Sequence, residues 1–222
     1  MNCALDFSSL KNKQRAIRAG FPETVGLRIH RAISWIGRAE ACCDDHDACF
    51  IFLWIAIFNA AYADEREFQA IPPGERAAFI DYFDKVVMLD RERRIYNAIW
   101  SKFSGPVRLL MDNKFVFNPF WQHHNGIEGF KDWEIRFEAS TRTFTSAFQN
   151  GHTTKVLSFA FDRLYVLRNQ LVHGGSTWNS AVNRAQVRDG AAILGFLMPV
   201  FVDIMMDNAL ENWGTPFYPV IS

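Results

Sequence analysis

Apolar residues recur three and four positions apart along most of this chain, the period of a helix with one buried face. Val25, Ile29, Ala32, Ile33, Ile36 and Ala39 form the first such stripe, opened by Pro22 and Glu23, which suit a first helical turn. Arg28, Arg31, Arg38 and Glu40 fall on its other faces. The next segment, about 46–64, follows Asp44-Asp45-His46-Asp47, whose acidic side chains can cap exposed N–H groups at a helix start. It has no polar face: Phe50, Ile51, Phe52, Leu53, Trp54, Ile55, Ile57 and Phe58 are crowded together. Such a helix is expected to be enclosed by neighbours or by an oligomer interface. Its apolar run, Ala48 to Ala63, falls short of the roughly 18 residues of a membrane span and carries Asn59.

Pro72-Pro73-Gly74 breaks the pattern, and Glu75 opens a third helix with Phe79, Ile80, Phe83, Val86 and Val87 as its stripe. Beyond the charge run Asp90–Arg94, the spacing of Ile95, Ala98 and Ile99 carries the helix to Phe103, with Gly105-Pro106 as its end. Residues 107–126 show no clean period and read as a short helix with an aromatic-anchored loop. Helical spacing resumes at about 128–149 and ends at Asn150-Gly151. Thr153 or Thr154 can cap the next helix, which carries Val156, Leu157, Phe161, Leu164 and Leu167. Asn179 or Ser180 is the expected cap of a long last helix faced by Ala191, Leu194, Leu197, Met198, Phe201 and Met205, with Pro199 as a kink candidate. Trp213 begins an extended tail over 211–222, and residues 1–20, polar and aperiodic, read as a loosely attached arm. No repeat and no convincing strand interrupts this. The expectation is an all-α chain, 1–222, forming a single domain.

Composition narrows the classes. At 222 residues, 49% hydrophobic and 15% aromatic, the chain has ample material for a core. Lys+Arg and Asp+Glu balance at 24 each, so no global charge marks a non-specific nucleic-acid coat, although a local basic site is not excluded. Cys3, Cys42, Cys43 and Cys49 are too few and too clustered for a disulfide framework, and free buried thiols in a reducing cytoplasm are expected. No apolar leader follows the scattered charges of the first 20 residues, so a cytoplasmic protein with no membrane partner is expected.

One stretch carries chemistry: Arg168-Asn-Gln-Leu-Val-His173, followed by Gly174-Gly175. Arginine offers a planar fork of donors suited to phosphate, and histidine changes protonation near neutral pH. A base for a 2′-hydroxyl, an acid for a leaving 5′-oxygen and a fixed charge suffice for RNA cleavage without a metal. Asn169 can orient the imidazole or bond a phosphate oxygen, and the glycines free the backbone to turn. Spacing alone is weak, since 17 Arg and 6 His in 222 residues produce such a pair by chance about once. Other candidates are weaker. Cys42, Cys43, His46 and Cys49 lack a second Cys-x-x-Cys half for zinc, His123-His124 reads as a surface turn, and Arg91, Arg93, Arg94, Lys102 and Arg108 are interleaved with Asp90 and Glu92 as on a solvated face.

Context raises the motif above chance. Arg-Asn-x-x-x-His-Gly, set between an apolar helix and a long final helix, resembles the HEPN superfamily, and Phe50 to Tyr62 looks like the second helix of its members. The resemblance covers roughly 25–64 and 156–210, leaving about 65–150 as an insertion between the first and last helix pairs. It implies an up-down helical bundle, a homodimer whose two motifs meet, and metal-independent endoribonuclease activity in toxin–antitoxin, abortive-infection or CRISPR-associated settings. Carried over, Arg168 and His173 are the catalytic pair, Asn169 their polar neighbour, and Asn59 and Gly174 supporting residues, with no cofactor and no metal. Expected partners are an RNA substrate, a second copy and an antitoxin or defence-system protein. Gly175 stands where nucleotidyltransferase-paired members carry a tyrosine, so regulation through that tyrosine is not expected. The competing readings are a non-catalytic HEPN-like module that binds a nucleotide or a protein, and a helical interaction protein in which His173 is structural.

Overall fold

A computed structural model of the chain describes residues 5–42, 44–61, 74–216 and 218–220. Among these residues there are ten α-helices and no strand. They are α1 (Phe7–Ile17), α2 (Glu23–Glu40), α3 (His46–Ala61), α4 (Gly74–Leu89), α5 (Arg94–Asn97), α6 (Ser104–Asp112), α7 (Asn118–His124), α8 (Trp133–Gln149), α9 (Thr153–Val172) and α10 (Arg184–Asp207). A π-helical turn, Ala98–Lys102, joins α5 to α6. The expected Pro72-Pro73 break, residues 62–64 of the second helix, Cys3 and Cys43 lie outside the described residues, as does the side chain of Phe58.

The core follows the apolar stripes. Val25, Ile29, Ala32, Ile33, Ile36 and Ala39 of α2 are all buried. They face α3, which is enclosed chiefly by α2 and α10 and buries Phe50, Leu53, Trp54, Ala56, Ile57 and Ala60. Enclosure stabilises the fold by roughly 1.5–3 kcal/mol for each large apolar side chain taken out of water. The expected face of α10, from Ala191 to Met205, is buried too. By length and composition α10 alone among the described helices is apolar enough to cross a membrane, yet 78% of that window is buried inside the protein, as in a core helix. Helix α4 packs on α9 through a ring cluster in which Phe83 and Phe161 lie 4.7 Å apart between Phe79 and Phe201. Residues of the expected insertion, from Phe79 to Phe148, thus belong to the same core as the flanking helix pairs.

Several expectations are corrected. Within the arm expected over residues 1–20, Phe7–Ile17 is a docked helix. Asp6 and Ser9 form a reciprocal capping box, Leu10 is fully buried, and Phe7 fills the notch at Gly37, where a Cβ would come within 2.5 Å of the ring. Only about one apolar residue per turn is needed to dock so short a helix, which hides it in a polar segment. Arg28 does not fall on an outer face: it is buried and donates to the carbonyl oxygens of Ala60 and Trp213. It thereby joins the end of α3 to the tail, and Trp213 is buried with it. The third helix is not continuous to Phe103. The Asp90 carboxylate accepts the Ile95 N–H at 2.7 Å and Arg93 turns at φ 55°, so a new helix starts at Arg94. Gly105-Pro106 opens α6 instead of ending a helix, because a first-turn proline forfeits no intrahelical bond. The last helix begins at Arg184, not after Asn179 or Ser180, because both Asn179 and Asn183 adopt φ 54°.

Buried charge ties the periphery to α10. Asp203, on α10 and almost fully buried, accepts Lys13 of α1 at 2.6 Å and Arg94 of α5 at 2.7 Å. Arg28→Met should lower the unfolding free energy by about 3 kcal/mol in urea titration, since two bonds from a charged donor are lost and two carbonyls are left buried. A loss under about 1 kcal/mol would mean that those carbonyls find other donors.

Candidate functional site

The Arg168–His173 stretch is the last turn and a half of α9, whose preceding turns are anchored by Val156, Leu157, Ala160, Phe161, Leu164 and Leu167. The end is built by backbone geometry. The His173 N–H donates to the Asn169 oxygen at 2.9 Å, Gly174 takes φ +77°, and the Gly175 N–H returns to the Gln170 oxygen at 2.8 Å. That six-to-one bond over a left-handed residue is a Schellman stop. It leaves the His173 imidazole exposed at the helix cap, while Arg168 and Asn169 are half-buried. The Arg168 guanidinium donates from Nη1 to Asn169 Oδ1 at 2.8 Å, so the Asn169 side chain holds the arginine and its backbone oxygen holds the histidine amide. Five residues of helix set Arg168 and His173 roughly 140° apart around the axis.

The chain beyond the stop is clamped to the start of α3. Trp178 Nε1 donates to Asp45 at 2.9 Å and the Asn179 N–H to Asp47 at 2.8 Å. The Arg184 guanidinium embraces Asp47 through both of its terminal nitrogens. The acidic run read as a helix cap therefore has two roles. Asp45 accepts the Ala48 N–H at 3.0 Å, and with Asp47 it also fixes the segment leaving the motif. The Ala48 N–H, with help from Trp178, holds the Asp45 carboxyl below its ordinary value.

Asn59 is not brought to this site. It lies 12 residues along α3 from Asp47, roughly 18 Å of axial rise from the end that holds the clamp. Its amide donates to the Ile55 oxygen of its own helix at 2.9 Å. Gln170, which the motif reading passed over, is brought in. It shares the His173 face at i, i+3, donates to the Phe115 oxygen at 2.5 Å and accepts from Asn183 at 2.8 Å, which in turn accepts from Asn113 at 3.2 Å. Phe115, Asn113 and Asn183 line an open cavity of about 860 Å³, together with Lys114, Trp133 and Gln186. A residue inside the motif was visible in sequence; its pairing with Phe115, 55 residues earlier, was not.

The other sequence candidates sit apart from the motif. His124 closes α7, with Nδ1 2.8 Å from the Phe120 oxygen and its ring stacked on Phe120, so it lies in a helix and not in a surface turn. The basic run does not form one face: Arg94 is committed to Asp203, and Arg93, Lys102 and Arg108 lie over the rings of Tyr96, Phe196 and Phe148. Cys42 and Cys49 are half-buried, and no three metal-ligating side chains cluster among the described residues.

Gly174→Ala should cost about 1–2 kcal/mol in thermal unfolding, the penalty of a side chain at positive φ. The clamp should also respond to acid with a definite sign. Asp45 is depressed below its ordinary 3.8, so its contribution is complete above that value and is lost as pH falls through the lower folded value. The part of the acid-induced change in tryptophan fluorescence that Asp45→Asn removes should therefore fall below pH 3.8.

No family model, no curated protein and no solved structure matches this chain.

Proposed function

We propose that this chain is a metal-independent RNA endonuclease of the HEPN type, working as a homodimer in which two Arg168-to-His173 segments face one another. The observation that carries the reading is the end of α9. A rigid helix stop exposes the imidazole, with an asparagine-held arginine one turn below it. In the reaction one His173 takes the proton of a 2′-hydroxyl, and that oxygen attacks the adjacent phosphorus. The P–O5′ bond breaks, and the second His173 gives its proton to the leaving oxygen. Arg168 offsets the charge that builds on the phosphorane. The products are a 2′,3′-cyclic phosphate and a 5′-hydroxyl.

A single segment supplies one imidazole, with its arginine on another face of the helix. Two segments about a two-fold axis supply an acid and a base on opposite sides of the phosphate. Apolar surface beside the motif supports such pairing: Val172, Trp178 and Val182 are 49%, 73% and 63% exposed. The same surface is where an antitoxin or defence-system partner would block access. In this reading Gly174 sets the turn, Gln170 steadies the face that carries His173, and Asn59 takes no part.

Purified protein in EDTA should cleave end-labelled RNA to cyclic-phosphate ends. His173→Ala and Arg168→Ala should each slow cleavage by about 10²–10⁴-fold without loss of fold. Trp178→Asp should yield an inactive monomer in light scattering. An active monomer would remove the composite site. A folded wild type that cleaves no RNA would shift the reading to a non-catalytic HEPN-like module, with the same helix end as its ligand site.

A further inference from the structure

Among the described residues most cations are committed to a carboxylate or an aromatic ring. Lys13, Arg94, Arg136, Arg142, Arg184 and Arg188 pair with carboxylates, and Arg38, Lys85, Arg93, Lys102, Arg108, Lys114 and Arg163 lie over aromatic rings. Arg91, Lys131 and Lys155 lack such a partner singly among the described residues, but one face gathers several cations. Lys11 and Arg15 of α1 and Arg18, the residue that caps its C-terminus, follow each other at i, i+4 and i+7, and His30 and Arg31 of α2 lie beside them. Among the described residues none of these four permanent cations has a carboxylate partner. The Lys11 ammonium sits 3.2 Å from His30 Nδ1 and donates to Gln14 at 2.8 Å, and Arg31 donates to the Tyr218 oxygen at 2.7 Å. These are neutral acceptors, so the like charges stay uncompensated. Burial and the neighbouring cations push Lys11 and His30 down from their ordinary values, the cost of holding them together.

We propose that this Lys11–Arg15–Arg18–Arg31 face is a contact surface for the phosphate backbone of single-stranded RNA, distinct from the Arg168–His173 end. It rests on the reading of the protein as acting on RNA, and adds where the strand runs. The shape favours a strand over a lipid surface. The α1 cations form a line about 10 Å long, and Ile17 is the one large apolar side chain exposed on α1 or α2, whereas a bilayer-seated face presents several. Charge on one face of a neutral protein also gives RNA an orientation that a uniformly basic surface would not.

The probe is a fluorescein-labelled 2′-O-methyl RNA of about 30 nucleotides, which cannot be cleaved because its 2′-oxygens are blocked, so binding is read independently of catalysis. Anisotropy titrations across a salt series compare wild type with Lys11→Gln/Arg15→Gln/Arg18→Gln, two exposed positions and the half-buried Lys11, leaving Leu10 and Arg31 in place. Wild-type affinity should fall steeply with salt. The triple variant should lose at least tenfold at low salt and show a log–log slope shallower by about 2, from roughly 0.7 per phosphate contact on single strands. Its melting temperature should be unchanged or higher. Equal affinity and slope in the two proteins would overturn the proposal, as would wild-type binding to phosphatidylserine vesicles with none to RNA. Failure of the nuclease reading looks different: RNA would bind with the expected slope, yet unmodified RNA would not be cut.

Discussion

An apolar helix with no polar face has to be covered by neighbours over most of its surface, and α3 is such a helix. It runs from His46 to Ala61 and buries Phe50, Leu53, Trp54 and Ile57. Its enclosure requires α2 on one side and α10 on another, and α10 in turn presents Phe201 to the rings of α4 and α9. The hydrophobic effect has no direction, so this demand sets which elements must be close but not how their ends are aligned. Polar contacts do the aligning. Arg28 fastens the end of α3 to the tail, Asp203 fastens α1 and α5 to α10, and Asp47 fastens the segment after α9 to the start of α3.

This division explains why the candidate site is a helix end and not a groove in the core. A packed interior leaves no room for a phosphodiester, whereas the stop at Gly174 brings α9 abruptly to the surface with His173 at its tip. Arg184 and Trp178 then hold the exit segment on two carboxylates, so the exposed imidazole stands on anchored chain on both sides. Rigidity of that kind suits a group that must meet a second copy of itself at a fixed distance. The large open groove of about 1070 Å³ lies at the opposite end of α9, lined by Gly151 to Lys155 with Ile80, Phe117 and Phe159, and takes no part in this arrangement.

Charge follows a similar logic. With equal numbers of acids and bases the chain has no net charge, and among the described residues most cations are neutralised locally or spread over rings. The exceptions acquire meaning from that background. Four cations without a carboxylate partner among the described residues, gathered on one face of α1, its C-cap and α2, would be unremarked on a basic protein; here they stand out as the place where a polyanion would be welcomed.

Sequence by itself determined the helical class, the stripes of α2, α9 and α10, the nearly all-round apolar character of α3 and the motif that ends α9, because each is a local periodicity or a contiguous set of residue types. Tertiary structure decided what depends on contacts distant in sequence. Arg28 read as an outer-face residue until Trp213 and Ala60 came to it, and the polar first 20 residues concealed α1 because one buried Leu10 and one notch at Gly37 suffice to dock it. Asn59 looked like a site neighbour by position in the chain, yet antiparallel packing puts the Asp47 end of α3 at the segment that leaves α9. Gln170 was legible as a letter in the motif but not as its brace, since Phe115 and Asn183 reach it only once α9 is packed. Periodicity reports which face of a helix is apolar; which residue meets which across two helices is set by the packing of both, and no single stretch of chain contains that information.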